Sequence, residues 1–501
     1  MREKNRVEKK IIVVGAGVAG LASAIRLAAE GYQVEVFEKN AQGGGKMNQI
    51  KKDGFTFDVG PTIVMMPDIY REVFKVVGRD PEDYIPMTQL NPIYTVQFPG
   101  DARIDVSTEM AHFTEFLESI GDEAAAGYYA YLAEVYKRYL VAKDHFIERS
   151  FRKPSDFYNP GTLFQALKLK TFDSAHHMIS KYVKDEKLQK LLSFQTLYIG
   201  ISPYKGPSIY TIIPMIEMIY GVWFMKGGMY QLVTAMEKLA DELGIVRHYN
   251  TRVDEIVVSG GRATGIRVGE VQHLADAVLV NADFPYAMTQ LIREPKAKGK
   301  YTDAKIEKMD YSCSCMLMYL GIDRKLDGLE VHNIQFAKDF DGNISDIFSG
   351  KLHEDPSIYL YTPSKMDESL APEGCEALYV LVPVPSLAHA DMAWSEAEVA
   401  AYKEKVYAKI QSVTGLEDIR AHVISETIYT PKDFESRFNA HKGATFGLAP
   451  TLLQSNYFRP QNKSNAVEGL YFAGSSAHPG AGVPIVLTSA KLAAEEIKKD
   501  L

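Results

Sequence analysis

Lys10-Ile11-Ile12-Val13-Val14-Gly15-Ala16-Gly17-Val18-Ala19-Gly20 is the stretch on which the reading of this chain turns. Its β-branched first half reads as a buried parallel strand. Residues 18–30 follow with Leu21, Ala24, Ile25 and Ala28 on one helical face, and Gly31 ends that helix as a C-cap. Residues 34–37 form the next strand, and Glu38 stands at its end. This is a βαβ unit of about 30 residues with a glycine fingerprint at its first turn. Gly15 permits the tight turn, Gly17 lets main chain approach a pyrophosphate, and Gly20 lets the helix pack on the strand. The helix N-terminus then offers free N–H groups and a positive dipole end to the phosphates. Glu38 is placed to accept hydrogen bonds from ribose hydroxyls, and a carboxylate there disfavours a 2′-phosphate.

Further along the chain, the same kind of signal returns twice. Residues 228–243 read as a helix with Leu232, Ala235, Met236 and Leu239 on one stripe. Residues 251–258 and 263–268 flank Ser259-Gly260-Gly261 and read as a hairpin, and residues 277–280 as a buried strand ended by Asn281-Ala282-Asp283. Near the end, residues 469–472 are a short strand and residues 485–498 a helix with Leu487, Ala490, Ala494 and Ile497 on one face. Between these last two lies Gly474-Ser475-Ser476-Ala477-His478-Pro479-Gly480-Ala481-Gly482-Val483-Pro484. That order of glycines and prolines holds irregular backbone against a flat ligand. The helix beyond it aims its positive end there, where it favours negative charge on a flavin. The fold expected is therefore α/β. A discontinuous Rossmann-like FAD-binding domain comprises residues 1–75, 226–290 and 455–501. A mixed α+β substrate domain comprises residues 76–225 and 291–454.

Composition bounds the alternatives. The 501 residues are 46% hydrophobic and 24% charged, enough for two or three structural units. The net charge of −8 leaves no broad basic field, which argues against nucleic acid. The three cysteines, Cys313, Cys315 and Cys375, make no disulfide framework and fit a reducing cytoplasm. Cys313-Ser314-Cys315 has neither a thioredoxin-like nor a zinc-ribbon spacing and reads as buried strand. His176-His177 lacks the i, i+4 spacing of a helical metal pair, so no metal is expected. The basic residues 1–10 and the apolar residues 11–25 mimic a secretory signal, but cleavage there would destroy the fingerprint. The longest apolar run, residues 212–225, is about 14 residues and is interrupted by Pro214 and Glu217, too short to span a bilayer.

Several longer stretches carry a family resemblance. They are Lys51-Lys52-Asp53-Gly54-Phe55-Thr56-Phe57-Asp58-Val59-Gly60-Pro61-Thr62-Ile63-Val64-Met65-Met66-Pro67, Arg152-Lys153-Pro154-Ser155-Asp156-Phe157-Tyr158-Asn159, and Ile213-Pro214-Met215-Ile216-Glu217-Met218. Lys226-Gly227-Gly228-Met229, Gln454-Ser455-Asn456-Tyr457 and the block from His478 to Lys491 complete them. In these the chain resembles the bacterial-type carotenoid (phytoene) desaturases, within the flavin amine oxidases and their relatives. Inside that group the similarity points to the dehydrosqualene (4,4′-diapophytoene) desaturases. The resemblance runs end to end. It implies FAD as cofactor, held by Gly15, Ala16, Gly17, Val18, Ala19, Gly20, Glu38 and Lys39, by Gly45, Lys46 and Met47, and by Gly60, Pro61 and Thr62. It further implies contacts from Val253, through main chain to the adenine, and from Gly474, Pro479, Gly480, Gly482, Val483 and Pro484. The family commonly has arginine where this chain has Lys46, a point charge without the bidentate fork. Lysine also occurs there in sister enzymes that oxidise a terminal methyl group, which keeps that reaction open beside polyene isomerisation or saturation. Outside enzymes, the Rab escort and GDP-dissociation-inhibitor proteins resemble this fold and bind prenyl chains without redox chemistry. The intact flavin segments argue against that reading.

Stepwise desaturation of a thirty-carbon precursor removes two hydrogens from a C–C single bond beside double bonds. The cofactor carries the chemistry, and the protein supplies alignment and a dry channel. Tyr198, Tyr204, Tyr210, Met215, Met218, Tyr220, Trp223, Phe224 and Met225 suit either a channel or a core. Glu217 is the one candidate catalytic side chain, suited to proton transfer if apolar surroundings raise its pKa. The alternative places it on the wet face of an amphipathic helix. His478 reads as a structural hydrogen-bonding group. A bilayer-dissolved apolar substrate requires peripheral contact with the inner face of the cell membrane. Residues 151–172 interleave Arg152, Lys153, Lys168 and Lys170 with Phe157, Tyr158, Leu163, Phe164, Leu167, Leu169 and Phe172, as an interfacial segment does.

Overall fold

The computed structural model describes residues 9–501, so most of the basic stretch at residues 1–10 lies outside the described residues. The strand Lys10–Val14 lies at the middle of a five-stranded parallel sheet. Its neighbours are Gln33–Phe37 on one side and Ala277–Val280 on the other; Val246–His248 and Leu470–Phe472 form the edges. Val13 stands in register with Val36 and with Leu279, and Leu279 with Tyr471, so three distant stretches of chain form one sheet. The helix Val18–Ala29 packs against helices Gln231–Glu242 and Val483–Asp500. Leu21, Ile25, Leu232, Leu239, Leu487 and Ala490 share the resulting core.

Boundaries move for local reasons. The helix expected from residue 228 begins at Gln231, because Gly227 and Gly228 take positive φ. The Asp58 carboxylate accepts the Met229 and Tyr230 N–H groups at 2.8 and 2.9 Å just before it. Residues 251–254 are not strand; the hairpin pairs Glu255–Ser259 with Arg262–Val268, and an unexpected third strand, Val271–Leu274, follows. A second hairpin, Asn48–Lys52 with Phe55–Val59, turns through Asp53 and Gly54, both at positive φ as a tight two-residue turn requires.

Both long intervening regions contribute to one seven-stranded sheet. Its order is Val423–Tyr429, Ser314–Ile322, Glu376–Val384, Ile358–Tyr361, His332–Gln335, Tyr94–Gln97 and Ile104–Val106. The strand Ser314–Ile322 is buried throughout. Cys315, Leu317 and Tyr319 join the core that also holds helices Asp122–Ala142 and Ile212–Tyr220, while Met316, Met318 and Leu320 face the helix Glu396–Gln411. The alternation is the strand's two-residue period at work. Cys315 is thus a buried strand cysteine and Cys313 is buried one residue before the strand; both thiols are free. The apolar run at 212–225 splits into the nine-residue helix Ile212–Tyr220, Gly221 at positive φ, and the strand Trp223–Met225. Among the described residues, no helix is long and apolar enough to cross a membrane.

Candidate active site

One cavity runs from the C-terminal ends of the parallel strands to the inner face of the seven-stranded sheet. Gly15, at φ +100°, turns the chain, and its N–H donates to Phe37 O at 2.8 Å. Gly17 bridges to Gly44, whose N–H donates to Ala16 O at 2.8 Å. A Cβ on Gly17 would stand 2.6 Å from Asn281 Oδ1, and one on Gly20 would stand 2.1 Å from Gly15 O. Glu38 is buried; its carboxylate accepts the Ala16 and Asn40 N–H groups, each at 2.9 Å, and keeps further lone pairs for hydroxyl donors. Helix Val18–Ala29 starts at Gly17 and helix Val483–Asp500 at Gly482, and neither start has a side-chain cap. Two sets of helix N–H groups are therefore unclaimed by side chains at the cavity wall. Asn281 donates to Ala473 O while its buried Oδ1 has no protein partner. Glycine-lined backbone, uncapped helix starts, a buried carboxylate and an orphaned amide oxygen together fit an adenine dinucleotide.

Gly15, Gly17, Val18, Ala19, Glu38, Lys39, Gly45, Lys46, Met47, Gly60, Pro61, Thr62, Val253, Gly474, Pro479, Gly480, Gly482, Val483 and Pro484 all line the cavity. Ala16 and Gly20 do not; they shape the turn from behind. The Lys46 ammonium donates to Thr445 O at 2.9 Å, and burial pulls its pKa down against the opposing charge of Asp283. That bond uses one of the three ammonium donors and holds the side chain beside Thr445 at the cavity wall. His478 is buried; its Nε2 pairs with Arg149 O at 2.9 Å, and burial lowers its pKa to about 4, which makes it a neutral structural group. The sequence reading missed Asn281, Ala282 and Asp283 as wall residues, although the end of a parallel strand beside the fingerprint is where ligands sit in such sheets.

The far end of the cavity is apolar: Phe194, Leu197, Ile209, Ile213, Ile216, Phe336 and Phe340 line it. Of the aromatic and Met cluster, Tyr198 and Tyr210 reach the wall. Met215, Phe224 and Met225 are core, and Tyr204 and Tyr220 are exposed. Thr62 Oγ1 and His332 Nδ1 each lie 2.7 Å from the Tyr359 hydroxyl, and burial lowers the His332 pKa to about 3. Glu217 needs correction. It is fully buried, not on a wet face, yet it does not line the cavity. Ile212, Ile213 and Ile216 line the cavity, and Glu217, one turn on from Ile213, stands on the adjoining flank of the same helix. There Tyr94 Oη and Gln195 Nε2 donate to its Oε2 at 3.2 and 3.1 Å, and the Tyr198 hydroxyl faces the same carboxyl. Burial pushes its pKa up to about 8.

Beside the cavity, the 151–172 segment splits by face. Tyr158, Leu163, Phe164, Leu167 and Phe172 are exposed, Phe172 to 81%, whereas Leu169 is buried and lines the cavity. Phe157 stacks on Tyr457. Arg152 is committed to Glu496 and Asp500, and Lys170 to Glu134. Lys168 lies over the Phe164 ring.

Comparison with known proteins agrees with this geometry. Residues 18–498 match the model of the flavin containing amine oxidoreductases. The chain is 52% identical to a 4,4′-diapophytoene desaturase (4,4′-diaponeurosporene-forming) of Staphylococcus haemolyticus, over 98% of this chain and 99% of that one. It is 50% identical to the protein of the same name from Staphylococcus aureus strain Newman, with the same coverage. Among solved structures, an oxidoreductase from Methanosarcina mazei superposes with a TM-score of 0.66 at 17% identity, covering 98% of this chain and all of that one. A putrescine oxidase bound to putrescine superposes at 0.62 and 12% identity, covering 98% of each chain. At such identities the structural likeness concerns the fold.

Proposed function

The chain belongs to the family of flavin containing amine oxidoreductases, and on that premise we propose that it desaturates a thirty-carbon carotenoid precursor. The enzyme is an FAD-dependent oxidoreductase acting on CH–CH bonds, taking 4,4′-diapophytoene stepwise to 4,4′-diaponeurosporene in carotenoid biosynthesis, the reaction its relatives are named for. The observation that carries the reading is the single cavity with a dinucleotide cradle at one end and apolar walls at the other.

FAD, when bound, supplies the two-electron acceptor for the hydrogens leaving the polyene. Gly15, Gly17, Glu38, Val253 and residues 474–484 would hold it. Phe194, Ile213, Ile216 and Phe336 align the hydrocarbon and exclude water, which keeps the charge developing beside the double bonds in a dry site. Glu217 acts as a positioning residue: Tyr94 and Gln195 hold its carboxyl in a polar cluster behind the cavity wall, and the Tyr198 hydroxyl faces that cluster.

The test is pigment extraction from a host that makes only the colourless thirty-carbon precursor, with and without this chain. A yellow polyene with longer-wavelength bands is the expected result. Soluble, FAD-loaded protein without colour sinks the reading. Supplying a coloured polyene and finding an oxidised end group would then identify the sister oxidase reaction.

Substrate delivery follows from the exposed face of residues 151–172. It contacts the inner face of the cell membrane through Leu163, Phe164, Leu167 and Phe172, with Lys153 and Lys168 at the lipid headgroups. Leu169 joins that face to the cavity, so the hydrocarbon passes from bilayer to site without crossing water. Burying a Phe or Leu side chain is worth about 1.5–3 kcal/mol. The double variant L167E/F172E is therefore expected to lose at least a hundredfold in liposome partitioning while keeping its flavin spectrum. Unchanged co-sedimentation with anionic vesicles would count against this face.

A further inference from the structure

Arg459 is 1% exposed, and all of its hydrogen bonds go to main-chain carbonyls. Nε donates to Ala477 O at 3.1 Å, Nη1 to Gln454 O at 3.0 Å, and Nη2 to Leu448 O and Ser475 O at 3.2 and 2.5 Å. Asp283 acts on it only through space, and the same Asp283 also acts on the buried Lys46. Among the described residues, no carboxylate forms an ion pair with the Arg459 guanidinium. Four carbonyls satisfy the guanidinium's hydrogen bonding, but they do not cancel its charge. Holding an ion in such a place is costly enough that burial draws even this guanidinium down to about 10.

The place matters. Ser475 and Ala477 lie in the stretch between Gly474 and Pro479 that lines the cavity, and a Cβ on Gly480 would stand 3.9 Å from Arg459 Nε. The uncapped start of helix Val483–Asp500 faces the same cavity and adds its own positive end. We propose that Arg459 is a redox-tuning residue: its fixed positive charge behind the 474–484 wall raises the reduction potential of the bound flavin by favouring the negative charge gained on reduction. The inference rests on the flavin reading above. The loop clamp and the charge are separable, because lysine keeps the charge without the fork, whereas glutamine removes the charge and keeps hydrogen-bonding capacity.

The experiment measures the midpoint potential of bound FAD by dye equilibration in the wild-type, R459K and R459Q holoproteins. For R459Q the ratio of reduced to oxidised cofactor affinity is expected to fall at least tenfold, a potential about 30 mV lower for a two-electron couple. R459K is expected to stay within a factor of two of the wild type. Equal shifts in both variants, or none in either, would overturn the proposal and leave Arg459 as a loop clamp. A folded R459Q protein that takes up neither form of FAD would overturn it in the same way. Where R459Q does not fold, R459M removes the charge in its place and is compared with R459K: a tenfold fall in the affinity ratio in R459M alone supports the proposal, and equal ratios in the two reject it. A wild-type protein that purifies without flavin would instead remove the flavin reading itself.

Discussion

A Gly20→Ala protein loses its flavin. Helix propensity alone favours alanine over glycine by about 1 kcal/mol in a helix interior, and Gly20 lies inside the helix Val18–Ala29. The packing reverses the sign. A Cβ there would meet Gly15 O at 2.1 Å and Asn281 Oδ1 at 3.0 Å. Gly15 cannot yield, because its N–H is tied to Phe37 O and its turn delivers the helix start to the cavity. The helix must therefore lift from the strand, at a cost of roughly 1–3 kcal/mol or more. The displacement falls on the N–H groups proposed to meet the pyrophosphate. FAD affinity is expected to drop at least a hundredfold, about 2.7 kcal/mol, with a lowered melting temperature. Gly161→Ala is the control: it sits in the helix Pro160–Lys168, where a Cβ meets Asn159 Oδ1 at an ordinary 3.4 Å. A Gly20→Ala protein that retains stoichiometric FAD would refute the fingerprint's proposed role.

The βαβ unit was legible because its signals are local. The run Lys10–Val14, the glycine spacing and the apolar stripe on residues 18–29 each follow from neighbours in sequence. The Asp53-Gly54 turn was equally legible and went unread, although its dipeptide is a strong hairpin signal. The wall at Asn281 and Asp283 needed the sheet order, which places Ala277–Val280 beside Lys10–Val14. No periodicity in either segment states that pairing. Arg459 is harder still. Its partners lie at 448, 454, 475 and 477, all main-chain carbonyls, so no side-chain type in the sequence announces them. For Glu217, sequence offered burial or a wet face. The structure chose burial, beside the cavity wall and not in it, because Tyr94 and Gln195, distant in sequence, take up the carboxyl on that flank of the nine-residue helix.

That burial makes Glu217 a reporter of the cluster behind Tyr198, and alkaline pH is expected to weaken the native state through it. Its carboxyl rises from 4.5 to about 8 on folding because the apolar surroundings disfavour the charged form. The folded protein therefore holds a proton that the unfolded chain releases. The stabilisation is complete below the unfolded value and is lost as pH rises through about 8. Asp58, raised to about 6, acts in the same direction but at lower pH. His332 and His478, lowered to about 3 and about 4, act oppositely; their unfolded forms are still half protonated at the ordinary histidine value of 6.5, so they offset part of the Glu217 slope until about one pH unit higher. Between pH 6.5 and 8.5 Glu217 alone loses roughly 2 kcal/mol at about 1.4 kcal/mol per pH unit, the two histidines return roughly 0.8 kcal/mol, and the net loss from these shifted groups is about 1 kcal/mol. In E217Q the neutral amide has nothing to release, and Gln195 Oε1, without a partner in the native structure, is a ready acceptor for the new N–H. Urea unfolding of the FAD-loaded wild type is expected to show the decline, and E217Q to lose it and show only the shallow rise that the two histidines contribute. Parallel slopes in the two proteins would assign the pH dependence to other groups and remove Glu217 from the cluster's account. Loss of the decline only in E217Q, joined to a changed pH profile for pigment formation, would tie the same proton to the Tyr198 side of the cavity.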